Sequence, residues 1–571
     1  MVEQIFIQLG LILFTAFIVS YIVRLFKQPI VIGYILAGIV ASLVISFGFM
    51  SLEASSEIIN IFSKFGIAFL LFMVGLHMNP KVIKEIGFVS MAIGFGQIIF
   101  TFFLGVIFCN YLLNFDFRTS IYIGIALAFS STIIVMKILS DKRNLDSLYG
   151  KISIGILIVQ DLVAIFVLMI MSSLAGKNVS SSSPFETLIS GGILIVVLFS
   201  LGYFIIPRFV KKVAESQELL FLFSICWCFV IAALFSYFEF SIEIGALLAG
   251  MVLSISKYSI EISAKIKPLR DFFLIIFFII LGLNVQLSNI GSIFLISLLL
   301  SIFALLLKPI ITMGLMIMAG YTKRTNFMVG TAIAQISEFS LIILALGVSS
   351  GQISKEILSM LTLTGIITIA LSTYMMIYSN SIYQKLSRVL SIFEKKHLRK
   401  DKDLNKEYDS ILFGYNRIGF GILESFKKIK KKYLIVDFNP EIIENLSKFR
   451  IPCVYGDAYD CDFLKELPLK KMGLAVSTIP DFETNLLLLE HFRQVNPNAI
   501  IILRAGNIKD ALEFYRLGAS YVLTPHFLGG EYVANMILEE KMKEKGYALE
   551  KEKHIKTLNE MAKRGHEHPD G

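Results

Sequence analysis

The chain has 571 residues, 56% hydrophobic and 17% charged, with a mean hydropathy of +0.73. That balance excludes an ordinary soluble globular protein and asks for a chain that lives largely in lipid. The formal net charge of +9 requires no nucleic acid, because much of the Lys and Arg falls in short loops between apolar runs, where positive charge marks the cytoplasmic side.

Glu3 precedes a long apolar run with neither a basic leader nor a small-residue cleavage site, so the first span is expected to be retained. Apolar runs recur near residues 4–23, 29–49, 57–76, 86–113, 118–139, 151–174, 185–206, 218–238, 240–255, 272–288, 290–319, 327–349 and 356–379. They predict about thirteen membrane helices. With the N-terminus outside, Arg24, Lys27, Lys142, Lys211, Lys267, Lys323 and Arg324 fall in inner loops, whereas the outer loops hold only Arg118, Lys177 and Lys355. The asymmetry predicts an outer N-terminus and an inner C-terminus. Five cysteines show no zinc spacing and read as packing residues.

The chain then repeats itself. IGYILAGIVAS at Ile32–Ser42 returns as IGALLAGMVLS at Ile244–Ser254, and GIALAFSST at Gly124–Thr132 returns as GTAIAQISE at Gly330–Glu338. An odd number of predicted spans separates each segment from its copy, so the copies cross the membrane in opposite directions. Inverted repeats of this kind mark secondary transporters, with the ion site at the midplane where discontinuous helices meet. Ser130, Ser131 and Thr132 in the first copy offer hydroxyl oxygens to a hard monovalent cation; helix packing by small residues is their alternative role. The second copy ends on Glu338.

Between the copies, Ile152–Met171 is apolar almost throughout yet carries Gln160 and Asp161 near its middle. A carboxylate at that depth costs roughly 2.5–3.5 kcal/mol on insertion scales, so it is expected to face a polar cavity and bind an ion, or else to pair with a neighbouring helix. Lys308, followed by Pro309, is a second ion at depth, with Asp161 or Glu338 as the acids available to partner it. A dry site disfavours the Asp161 carboxylate and a nearby lysine favours it. Proton and cation then compete for the same oxygens, and a single carboxylate predicts near one-for-one, electroneutral exchange.

After the last span, residues 386–408 are dense in charge and form a linker. From Asp409 short apolar strands alternate with helices: SILFGYNRIGF, KYLIVDFNP, IPCVYGDAYD, MGLAVSTIPD, AIIILRAGN and ASYVLTP. That alternation predicts a doubly wound parallel sheet. Gly414, Asn416 and Gly419 occupy the three fingerprint positions of a dinucleotide turn, the middle glycine being replaced. Asp437 follows about twenty residues on, where an acid bonds a ribose hydroxyl. Residues 541–571 form a charged tail.

The membrane part resembles the monovalent cation:proton antiporter-2 family, which includes the Kef-type potassium-efflux systems. ALAFSSTIIVMKIL at 126–139, VQDLVAI at 159–165 and AQISEFSLI at 334–342 carry the resemblance. It implies a dimerising scaffold and a mobile core built on two crossed, broken helices, with the ion-binding carboxylate at Asp161 and the core lysine at Lys308. Sodium-exchanging relatives carry two adjacent acids; Gln160 in the first place is similar to the potassium-type members. The C-terminal part resembles the RCK (KTN) domain. That likeness implies a nucleotide pocket of Gly414, Arg417, Ile418, Gly419, Asp437, Asp457, Ala458, Thr478 and Arg504, binding AMP or NAD(H) in a homodimer; Kef-type members also bind glutathione there.

The expected protein is therefore a polytopic α-helical membrane protein with inverted repeats (residues 1–385), joined by the linker to a Rossmann-like RCK domain (409–540). Its expected activity is exchange of K+, or Na+, for H+ across a bacterial inner membrane, with the RCK domain cytoplasmic. A channel with the same regulatory domain is the alternative, although no TVGYG-like filter is present. A membrane oxidoreductase using NAD lacks a site for hydride transfer, so no enzyme is expected.

Overall fold

The computed structural model describes the chain apart from residues 1, 47–55, 78–87, 143, 146, 175–192, 195, 199, 203, 205, 239–241, 255, 286–289, 391–406, 416–417, 541–543 and 564–571. It divides into two compact units: Met1–Arg143, Lys151–Leu315 and Met328–Ile382 make one, and Asn144–Gly150, Met316–Phe327 and Tyr383–Gly571 the other. Two short segments between apolar helices thus cluster with the C-terminal unit.

The described part of the chain up to Leu390 is helical, and most of its last helix belongs to the second unit. The elements begin with α1 (Val2–Leu25), α2 (Ile30–Ser46), α3 (Ser56–His77), α4 (Phe88–Ile107), α5 (Phe117–Ala128), α6 (Thr132–Asp141) and α7 (Leu148–Leu174). They continue with α8 (Ile206–Val213), α9 (Gln217–Tyr237), α10 (Ile242–Ser254), α11 (Ser259–Leu283), α12 (Ile290–Ile302), α13 (Lys308–Met318), α14 (Lys323–Ala332), α15 (Glu338–Ser349), α16 (Lys355–Ile377) and α17 (Ser379–Leu390). Among the described residues, seven helical stretches are long and apolar enough to cross a membrane. Most of the expected span at 185–206 lies outside the described residues.

The repeated LAG segments explain how the helices cross. A Cβ on Gly38 would sit 2.0 Å from Ile279 O, and one on Gly282 2.1 Å from Ile35 O, so α2 and α11 touch backbone to backbone. The second copy does the same: Gly250 would meet Phe72 O at 2.0 Å and Gly75 would meet Leu247 O at 2.3 Å, joining α10 to α3. Small residues permit this close approach, and dispersion rather than water exclusion holds it in lipid. A π-turn follows α4 (Phe108–Leu112) and another follows α12 (Phe303–Leu307), with the Phe108 and Phe303 rings 5.1 Å apart. The second sets Lys308 at the start of α13.

The C-terminal unit is a six-stranded parallel sheet of order β3-β2-β1-β4-β5-β6. Its strands are β1 (Ser410–Phe413), β2 (Tyr433–Asp437), β3 (Cys453–Tyr455), β4 (Leu474–Ser477), β5 (Ile500–Arg504) and β6 (Tyr521–Leu523). Helices α18 (Gly419–Ile429), α19 (Pro440–Lys448), α20 (Cys461–Glu466), α21 (Phe482–Val495) and α22 (Ile508–Arg516) connect them, and α23 (Pro525–Glu540) and α24 (Glu544–Lys563) follow. Side chains alternate between faces with the strand period of two. Ile411 and Phe413 enter one core with Leu434 and Val436, while Leu412 enters the other with Ile435 and Val476. The order reverses between β1 and β4, the switch point where such sheets bind ligands.

Candidate functional site

Each second member of the repeat is a helix interrupted in the middle. α5 stops at Ala128 and α6 begins at Thr132, capped by Ser131, whose hydroxyl accepts from Ile134 N at 3.4 Å. α14 stops at Ala332 and α15 begins at Glu338, capped by Ser337, whose hydroxyl accepts from Phe339 N at 3.1 Å. The breaks are laced together: Ser130 Oγ donates to Ile333 O at 2.9 Å, and Ser340 Oγ donates to Ala126 O at 2.7 Å.

Lys308 is fully buried and fastens both breaks at once, its ammonium donating to Phe129 O at 2.8 Å and Gln335 O at 2.9 Å. The sequence pointed to Asp161 or Glu338 as its partner. The structure uses two backbone carbonyls instead, at equivalent positions of the two repeats. The reason is local: carbonyls beyond a helix C-terminus lack intrahelical donors and carry partial negative charge, which a cation satisfies.

Asp161 reaches the first break, where Thr132 Oγ1 donates to its Oδ2 at 2.9 Å. The Glu338 carboxyl lies beside the Ser131 hydroxyl, within electrostatic range of Asp161. Thr132, Asp161 and Glu338 are each partly accessible, whereas Ser130, Ser131 and Gln160 are fully buried. A small accessible spot with two carboxyls and hydroxyl oxygens therefore adjoins a closed polar network.

Gln160 belongs to that network. Its Oε1 accepts from Ser130 N at 2.8 Å and its Nε2 donates to Gln97 Oε1 at 2.5 Å. Gln97 in turn donates to Ala128 O at 3.2 Å and to Thr101 Oγ1 at 2.9 Å. Sequence reasoning passed over Gln97, although a lone amide within an apolar helix is the same signal that marked Gln160. It also left Gln335 unassigned.

In the C-terminal unit, Gly414 follows β1 at φ +82°, and a Cβ there would lie 2.7 Å from Thr478 Oγ1. Thr478 Oγ1 donates to Gly414 O at 2.9 Å, joining the β1 and β4 turns at the switch point. Gly419 begins α18, where a Cβ would stand 2.3 Å from Gly414 O. Ile418 is the cap residue of that helix. The Asp437 carboxylate accepts from Tyr415 N and Asn439 N, both at 2.9 Å; burial pushes its carboxyl above the ordinary value against the pull of those N–H groups. Each of its oxygens keeps capacity for another donor. Arg504 Nη1 donates to Thr478 O at 3.3 Å, Ala458 is buried after β3, and Arg417 lies outside the described residues.

Asp457 is engaged within the same unit. Its Oδ1 accepts from Tyr459 N at 2.9 Å, and its Oδ2 stands 3.8 Å from Arg324 Nη1. Arg324 Nη2 lies 3.9 Å from Asp481 Oδ2, and its guanidinium sits 4.1 Å over the Tyr459 ring. Lys323 Nζ pairs with Asp460 Oδ2 at 3.1 Å. Two charges read from sequence as inner-loop lysine and arginine thus pair with a cluster of acids at Asp457, Asp460 and Asp481.

Residues 410–525 match the TrkA-N domain family. Over 553 residues the chain is 25% identical to a candidate K(+) efflux antiporter, KefB, of Alkalimonas amylolytica, covering 92% of this chain and 80% of that protein. Over 518 residues it is 24% identical to the glutathione-regulated potassium-efflux system protein KefC of Shigella flexneri serotype 5b, covering 89% of this chain and 81% of that one. The sodium proton antiporter MjNhaP1 of Methanocaldococcus jannaschii is 18% identical, with a TM-score of 0.46, over 68% of this chain and 98% of that one. Residues 12–377 match the transmembrane sodium/hydrogen exchanger family, most of the chain. A chain that matches over that length, with two broken helices pinned by Lys308 and Asp161 bonded at the first of them, belongs to the sodium/hydrogen exchanger family of transporters.

Proposed function

We propose that this protein exchanges K+ for H+ across a bacterial inner membrane, with Asp161 as the carboxylate that both ions share. The observation that carries the reading is the position of Asp161: a partly accessible carboxylate on an apolar helix, bonded through Thr132 to the break of the repeated helix. Such an acid holds either a proton or a cation, and an empty, charged core is penalised in moving through an apolar barrier. Obligatory exchange follows. The potassium-efflux names of the relatives and the amide at Gln160 support K+ over Na+ as the cargo, and the antiporter names weigh against a channel.

The TrkA-N domain is the regulatory part of this reading. AMP or NAD(H) is held at the β1/β4 switch point, with Asp437 on the ribose and Gly414 admitting the phosphate-bearing part to the backbone. Asp457 is already held by Arg324, and the chain runs from Arg324 along α14 into the second break, a continuous path by which the nucleotide gates transport. Homodimerisation, glutathione binding, an outer N-terminus and a cytoplasmic TrkA-N domain complete the proposal. It is tested by K+-driven proton release from proteoliposomes. Asp161→Asn is expected to abolish release and keep nucleotide binding; release at the wild-type rate would refute it.

A further inference from the structure

Gln335 lies in the second break and is fully buried. Its backbone carbonyl accepts the Lys308 ammonium and its Nε2 donates to Ser131 O at 3.4 Å, but its side-chain Oε1 has no hydrogen-bond partner among the described residues. Chemistry fixes which end of the amide is left over: turning it over would set Oε1 against the Ser131 carbonyl, two acceptors facing each other. A buried acceptor without a donor is unfavourable, and it invites a positive charge.

The fold does not call for an amide here. Superposing the repeats GIALAFSST and GTAIAQISE puts Gln335 on Phe129, and both backbone carbonyls accept Lys308. An apolar side chain fills the position in one half and an amide in the other. Gln160 is engaged in the closed network, its oxygen taking Ser130 N and its nitrogen given to Gln97, whereas Gln335 Oε1 takes no donor among the described residues. Ser131, against which the Gln335 amide rests, precedes Thr132, the residue bonded to Asp161.

We propose that Gln335 Oε1 is a neutral ligand of the transported cation beside Asp161 and that it sets the preference for K+ over Na+. The inference rests on the exchange reading above. A carboxylate is a high-field oxygen that favours the smaller ion, whereas an added neutral amide oxygen lowers the mean field and favours the ion that sheds water more readily.

The test is cation-driven proton release by the full chain in proteoliposomes, with K+ and with Na+, for wild type, Gln335→Leu, Gln335→Glu and Asp161→Asn. Gln335→Leu should raise the half-saturating K+ concentration about tenfold, the loss of one oxygen from a charged ligand, and lower the K+/Na+ preference. Gln335→Glu restores an oxygen with charge and should move the preference toward Na+. A merely structural amide would leave that ratio unmoved in both variants, and this result overturns the proposal. Should Gln335→Leu fail to fold, an unchanged ratio in Gln335→Glu alone overturns it. Wild type without exchange, or full exchange in Asp161→Asn, would sink the exchange reading itself, a different outcome from exchange that depends on Asp161 but ignores Gln335.

Discussion

The buried amide pair offers a stability measurement whose size can be worked out. Gln97→Leu leaves Gln160 Nε2 without its acceptor and Ala128 O without its donor. Gln160→Leu leaves Ser130 N and Gln97 Oε1 unpaired. A side-chain hydrogen bond within a membrane bundle contributes only about 0.6–2 kcal/mol, but a buried polar group left alone costs about 1–3 kcal/mol. The orphaned groups therefore dominate, and each single variant should lose about 2–4 kcal/mol, allowing for the apolar contact leucine adds. Replacing both amides leaves Ala128 O, Thr101 Oγ1 and Ser130 N without their donor or acceptor, but the facing Gln160 Nε2 and Gln97 Oε1 vanish together. The double variant should thus lose less than the sum of the singles by about 0.5–3 kcal/mol, the range of directly coupled neighbours. Denaturant unfolding in detergent, followed by the fluorescence of Trp227, measures the cycle. Strictly additive losses would refute the relay.

Gly414→Ala forces a side chain onto φ +82° and against Thr478 Oγ1. The conformation alone costs roughly 1–2 kcal/mol, so titration with AMP or NADH should show affinity falling about tenfold or more, with basal exchange retained. Asp437 gives a pH signature. Its folded carboxyl is raised by burial, so the stability it contributes is complete below the unfolded value and is lost as pH rises through the folded one. Asp437→Asn should flatten that decline in the unfolding midpoint from the ordinary carboxylate range upward; an unchanged slope would contradict it.

The parts of this molecule legible from sequence are those written in side-chain identity. Apolar runs, the LAG repeats, Asp161 within Ile152–Met171 and the six strands after Asp409 all announce themselves by composition or period. What stayed hidden is written in backbone. The partners of Lys308 are the carbonyls of Phe129 and Gln335, groups every residue owns, so side-chain identity points to acids instead. Gln160 is read as an ion-site residue from its place beside Asp161; its hydrogen bonds to Ser130 N and Gln97 are long-range contacts that the sequence does not announce. Arg324 counted only as loop charge, since its acids lie far away in sequence, at 457 and 481.

The central claim is that one carboxylate serves proton and cation in turn. Its most direct test is the half-saturating K+ concentration for exchange, measured in proteoliposomes over a series of pH values. Sharing at Asp161 predicts that this concentration rises as pH falls while the maximal rate under saturating K+ stays constant, and that Asp161→Asn removes the exchange. A half-saturation independent of pH, with protons changing only the maximal rate, would contradict it.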